Sequence, residues 1–225
     1  MTEPAPLGPT RDDPAVQAAA ATQDPYVARL DAIRNDPALS ELAKAEQVAE
    51  AYDQQMKALT EHATDLHNRR IARLEHLQGS VPTGPGIPTD ASQADKAVLS
   101  ASFRAALDQA RAADFDQRRA ILADALKFGD DTTLRALLTA AHENSDTKLV
   151  DVWADATGNT PVIAEIRDLH TQMHGIHAGS SWQSKAFNAP KRPGEIPNIP
   201  ILRQRAEQQQ RDDARARQYS GINRY

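Results

Sequence analysis

His170, His174 and His177 are spaced by four and then three residues, which places them on one side of a helix with Asp168 close by. Imidazoles at i and i+4 are a common helical way to present two nitrogen ligands to zinc, so HTQMH is the best metal candidate in the chain. Helical metallohydrolases place a Glu directly after the first His to act as base, whereas Thr171 stands there. Gly175 also interrupts the helix ahead of His177. Cationic or polar side chains near a helix C-terminus are also what the helix dipole favours, and that is the preferred reading of this cluster. A metal-dependent enzyme using this cluster is one reading, and a polar helix end is the other.

Other chemistry is harder to build. The chain has no cysteine, which removes disulfides, thiolate ligands and a Cys nucleophile. His62, His67, His76 and His142 are isolated and read as surface residues, and no Gly-x-Ser-x-Gly nucleophile motif occurs. The stretch GSVPTGPGIP is no phosphate loop, because no Lys-Ser/Thr follows it and its prolines remove amide donors. Asp130-Asp131 reads as helix capping and Asp212-Asp213 as a solvated face, with no calcium-loop spacing. The expectation is a non-enzyme with no cofactor and no resident metal.

The elements point to a mostly α-helical chain: one long helix, a bundle or stack of short helices, and extended N- and C-terminal arms. Residues 1–21 are Pro-rich and without periodicity, which predicts a flexible or docking arm and no signal peptide. Residues 22–78 predict a short helix from Asp24-Pro25 and then a long one launched by Asp36-Pro37. In the long helix Tyr52, Met56, Leu59, Ala63, Leu66, Arg70, Arg73 and Leu77 alternate steps of four and three, the spacing of a coiled-coil seam. The two arginines weaken that seam, so its second half is expected to be more exposed than its first.

Residues 79–90 form a Pro/Gly connector, and residues 91–178 a helical bundle. Asp90 with Gln93 reads as the cap of its first helix. Four short helices follow over Asp114–Phe128, Asp131–Glu143, Asp146–Ala156 and Thr160–His174. Each opens on Asp or Thr, with Gly129, Asn144, Gly158 and Gly175 as breaks. Trp153, on a face with Leu149 and Val150, is expected to be buried between helices.

Residues 179–225 predict an extended, Pro-rich and Arg-rich C-terminal arm, with a polar helix towards its end. Trp182, Phe187, Ile196, Ile199 and Ile201 are spaced as pegs for a neighbour's groove. Arg203, Arg205, Arg211, Arg215 and Arg217 could meet an acidic surface: from Lys185 onward nine cations face four acids, in a chain whose net charge is −5. Interleaved acids and glutamines, with the negative total, argue against nucleic acid as the partner. No stretch approaches the roughly 18 apolar residues of a membrane span.

Two segments carry a resemblance. IRNDPALSELAKAEQVAEAYDQQM and FGDDTTLRALLTAAHENSDTKLVDVWAD resemble, in order, the front and the short-helix region of helical proteins encoded among the virion genes of actinobacterial tailed phages. Together they cover most of Ile33 to Asp155, and the Ala/Arg/Asp-rich, Cys-free composition fits a high-GC host or its phage. The resemblance implies a non-catalytic structural component of the particle, at the head or the head-to-tail junction, and supplies no catalytic residues. Its partners would be other virion proteins and copies of itself in a homo-oligomeric arrangement. Its location would be the virion, and the host cytoplasm during assembly. A scaffold or chaperone absent from the mature particle is the alternative within the same setting.

Overall fold

The computed structural model describes residues 3–174 and 185–222, with side chains in the last helix up to residue 217. His177 and Trp182 lie outside the described residues. Helices α1 (Pro14–Ala21), α2 (Gln23–Asn35), α3 (Glu41–Ser80), α4 (Gln93–Ala112), α5 (Phe115–Phe128), α6 (Asp131–Glu143), α7 (Thr147–Thr157), α8 (Thr160–His174) and α9 (Ile199–Ile222) make an all-helical chain, with no strand among the described residues. At about 1.5 Å per residue α3 is roughly 60 Å long. Two compact units divide the chain: a bundle unit of Met1–Ala5 and Arg70–Gly175, and an arm unit of Pro6–Arg69 and Ile176–Tyr225.

In the bundle unit local capping chemistry sets the helix ends. Asp114, Asp130 and Asp146 each accept a backbone amide in the first turn of α5, α6 and α7, and Asp114 with Gln117 forms a full capping box. Gly129 and Gly158 end α5 and α7 at φ 69° and 74°, a left-handed conformation that costs a side-chain-bearing residue more. Helix α6 ends at Glu143 with Asn144 as its cap, where the break was expected, and Ser145 beyond it takes the left-handed conformation at φ 53°. The cap of α4 is Ser92 rather than Asp90, with Ser92 Oγ accepting from Asp95 N at 3.2 Å.

Helix α6 packs against α4, α5 and α7, and its Ala136, Leu137, Leu138, Ala140 and Ala141 are fully buried. Around them lie Phe103, Leu107, Leu122, Leu149, Trp153 and Ile163, a core assembled at helical spacing from five helices. Arg118 ties the corners together, donating from Nε to Ala110 O at 2.8 Å and pairing with Asp146.

The seam of α3 departs from expectation in its second half. Arg70 and Arg73 are 2% and 6% exposed, and Leu74 and Leu77 are buried beside them. Arg73 is a structural anchor. It donates to both oxygens of Glu165 at 2.8 and 2.9 Å, to Glu3 at 3.1 Å and to Pro4 O at 2.8 Å. The Arg73 hydrogen bonds hold the Glu165 carboxyl below the usual range. A carboxyl lowered on folding contributes stability above its ordinary value of about 4.3, and the contribution is lost as pH falls through the lowered value. Glu165→Gln is therefore expected to cost about 2–3 kcal/mol at pH 7, at or below the usual cost of breaking a buried pair because Arg73 keeps its other acceptors. The melting gap between variant and native protein should narrow as pH falls below the ordinary carboxyl range; a gap that stays constant from pH 7 downwards would refute the pairing.

The arm unit differs from expectation at its N-terminal end. Residues 1–21 were expected to form a flexible or docking arm, yet Thr10–Asp12 is a 3-10 turn and α1 follows at Pro14. Ala15, Val16 and Ala19 are buried against Leu59 and Leu66 of α3. Asp13 caps α1 through Ala15 N at 2.8 Å, and Pro14 occupies the first helical position, where its missing amide costs nothing. Helix α2 packs Leu30 and Ile33 on Val48 and Ala51. Asp36 accepts from Ala38 N in a turn, and Ser40 Oγ receives Ala43 N, so α3 begins at Glu41 rather than at Pro37.

Candidate functional site

The C-terminal segment, where the sequence places its pegs and arginines, lies along helices of its own arm unit. Ala186 is 3% exposed and Phe187 half-buried, both in the cluster with Leu59 and Leu66. Pro193 is buried, and a 3-10 turn over Ile196–Asn198 leads into α9. Pro197 and Pro200 therefore sit in first turns, where an amide is not needed, and residues 196–202 are helical rather than extended.

Two charge pairs join this segment to α2 and α3. Arg34, at the end of α2, donates from Nε and Nη2 to the two oxygens of Glu195 at 2.6 and 3.3 Å. The Arg34 hydrogen bond holds the Glu195 carboxyl below its ordinary range. Arg203 donates from Nε and Nη2 to Glu46 Oε1 at 2.9 and 2.7 Å. The start of α9 straddles α3: Ile199 and Arg203 line one groove with Glu46, Glu50 and Lys57. Ile201, Leu202 and Arg205 line a second, of about 560 Å³, with Arg34, Lys44 and Val48.

Of the expected partner-binding residues, Phe187, Ile196 and Ile199 are half-buried, and Ile201 is 53% exposed. Arg203 is engaged by Glu46, and Arg211 lies 3.9 Å from Glu207 one turn away. Arg205, Arg215 and Arg217 are exposed. Trp182 falls outside the described residues. Residues 207–217 of α9, EQQQRDDARAR, are exposed at every position, about three turns of helix without one buried side chain.

His170 and His174 lie on α8 with ring centroids 6.3 Å apart, and His170 Nε2 is 3.4 Å from Gln78 Nε2. His177 is outside the described residues. Among the described residues no three His, Cys, Asp or Glu side chains are grouped to hold a metal ion.

A groove that the sequence reading did not foresee lies in the bundle unit, about 600 Å³ in volume. Val81, Leu138, Val150, Ile163 and Ile166 make its apolar lining, with His142, Arg167 and His170 among its polar groups. Arg167 is already paired with Asp151 at 2.7 Å. Ser145, left-handed at φ 53°, also lines it, and no sequence pattern announces that turn.

No protein-family model, curated protein or solved structure matches the chain. Among the described residues no helix is long and apolar enough to cross a membrane.

Proposed function

We propose that the chain is a non-catalytic structural component of a tailed-phage particle, at the head or the head-to-tail junction, attached through its C-terminal segment. The observation that carries this reading is the exposed stretch 207–217 of α9. A helix polar on every side has no face to bury, and an isolated helix of this length is marginal in water. A surface of neighbouring subunits would supply what the stretch lacks. The resemblance of Ile33 to Asp155 to helical virion proteins supplies the setting. The same exposed, charged helix suits an assembly scaffold, which is the second reading.

Truncation after Ala206 removes no buried side chain among the described residues, so the melting temperature should stay within a few degrees of the full chain. Incorporation into particles, followed by immunoblot of purified virions from a complementation assay, should fall to background. Equal incorporation of the truncated chain would rule out the helix as the attachment device. Full-length protein present in assembly intermediates but missing from mature virions would assign it to the scaffold reading.

A further inference from the structure

We propose that residues 185–206 form an exchangeable clasp, which docks on its own α2 and α3 in a single chain and on the same surface of a second copy when copies are crowded. The inference goes beyond the virion reading, because it names the occupant of a surface whatever the particle. The charges select that occupant. The clasp holds one acid, Glu195, which meets Arg34, and among its five cations Arg203 meets Glu46. Docking in the reverse direction would set Glu195 near Glu46 and Arg203 near Arg34, so the two pairs favour one polarity. A second copy presents the matching surface by construction.

The clasp is held lightly. Arg34 and Glu195 are 42% and 30% exposed, and Arg203 and Glu46 are 62% and 42% exposed, so both pairs sit in the range where ion pairs contribute little. The apolar hold is modest: Ala186 and Pro193 are buried and Phe187, Ile196, Ile199 and Leu202 only half-buried, and beside Phe187 a groove of about 320 Å³ lined by Met56, Leu59, Ala63 and His67 stays open. Pro190, Pro193, Pro197 and Pro200 restrict the segment whether docked or not, which lowers the conformational cost of moving it. Within one chain the closed form is favoured by effective concentration alone, and an assembly that brings copies together removes that advantage.

Charge reversal tests the exchange on the isolated full chain. One variant carries Arg34→Glu with Glu46→Arg, and the other carries Glu195→Arg with Arg203→Glu. Each alone mismatches its own clasp and that of its twin, whereas the two mixed match both clasps across a 1:1 dimer. Native mass spectrometry of the mixture should show roughly tenfold more dimer than either variant alone. A mixture no more dimeric than its components overturns the proposal. The absence of cysteine permits an independent measurement that leaves Arg34, Glu195 and Phe187 untouched. Concentrated Glu46→Cys and Arg203→Cys chains, one isotope-labelled, are mixed and treated with a short bismaleimide. Heterodimers well above the self-linked background support exchange, and their absence refutes it even where a charge variant fails to fold. Neither measurement involves particles, so failure here leaves the incorporation result standing, and the reverse holds too.

Discussion

Trp153→Ala is expected to cost about 3–5 kcal/mol, the range for truncating a buried aromatic. Trp153 is 2% exposed and packs in the core that α6 organises, with Leu149 and Ile163. Its replacement would leave a cavity between helices too well packed to close over it. For a unit of this size the loss corresponds to a fall in melting temperature on the order of 10–20 °C. The indole Nε1 has no hydrogen-bond partner and is buried. A buried donor without an acceptor costs about 1–3 kcal/mol, so Trp153→Phe removes that penalty together with part of the packing. The Phe variant should therefore lose less than about 1.5 kcal/mol. Urea denaturation followed by circular dichroism measures both. A loss below about 1 kcal/mol for the alanine variant would show that the core tolerates the cavity. In a Trp182→Phe background, iodide should quench Trp153 far less than a free peptide.

The bundle was legible because its signals are local. Asp114, Asp130, Asp146 and Thr160 stand at or beside the starts of α5 to α8, and Gly129 and Gly158 end two of them within one residue of expectation. A cap is recognised over four residues of sequence, so it survives without knowledge of the fold. Where two caps compete nearby, as Asp90 and Ser92 do, the local reading chose wrongly, because both offer an oxygen to a following amide.

What was illegible depends on partners far away in the chain. Ala15, Val16 and Ala19 carry too little side chain to announce an apolar face, and their burial is created by Leu59 and Leu66. Arg73 interrupts an apolar seam on any hydropathy scale, yet its acceptors are Glu165 and Glu3, 92 and 70 residues away. The candidate site shows the same division. The spacing of Phe187, Ile196 and Ile199 suggested pegs for a neighbour's groove, and the sequence held no hint that Arg34 and Glu46 of the same chain would receive Glu195 and Arg203.

Arg69→Ala is expected to cost about 2–4 kcal/mol and to release the N-terminal helix. Arg69 donates to the two oxygens of Asp13 at 2.7 and 2.9 Å, and Asp13 also caps α1 through Ala15 N. The Asp13 side chain is 5% exposed, so removing its cation strands a buried carboxylate. Arg69 itself is 34% exposed, which tempers the loss below that of a fully buried pair. Burial pushes the Asp13 carboxyl up, but the Arg69 and Ala15 hydrogen bonds outweigh it and hold the group below its ordinary value. The folded value is thus the lower one. The stabilisation is present above the unfolded value of about 3.9 and is lost as pH falls through the folded value. Two measurements check this. At pH 7 amide exchange over residues 14–21 should quicken sharply in Arg69→Ala, while exchange over α6 stays unchanged. Near pH 2, where the Asp13 carboxyl is largely protonated in the variant, the melting difference from native protein should shrink. A difference that persists at that pH would mean the guanidinium acts through packing of its stem, and the charged clamp on α1 would have to be abandoned.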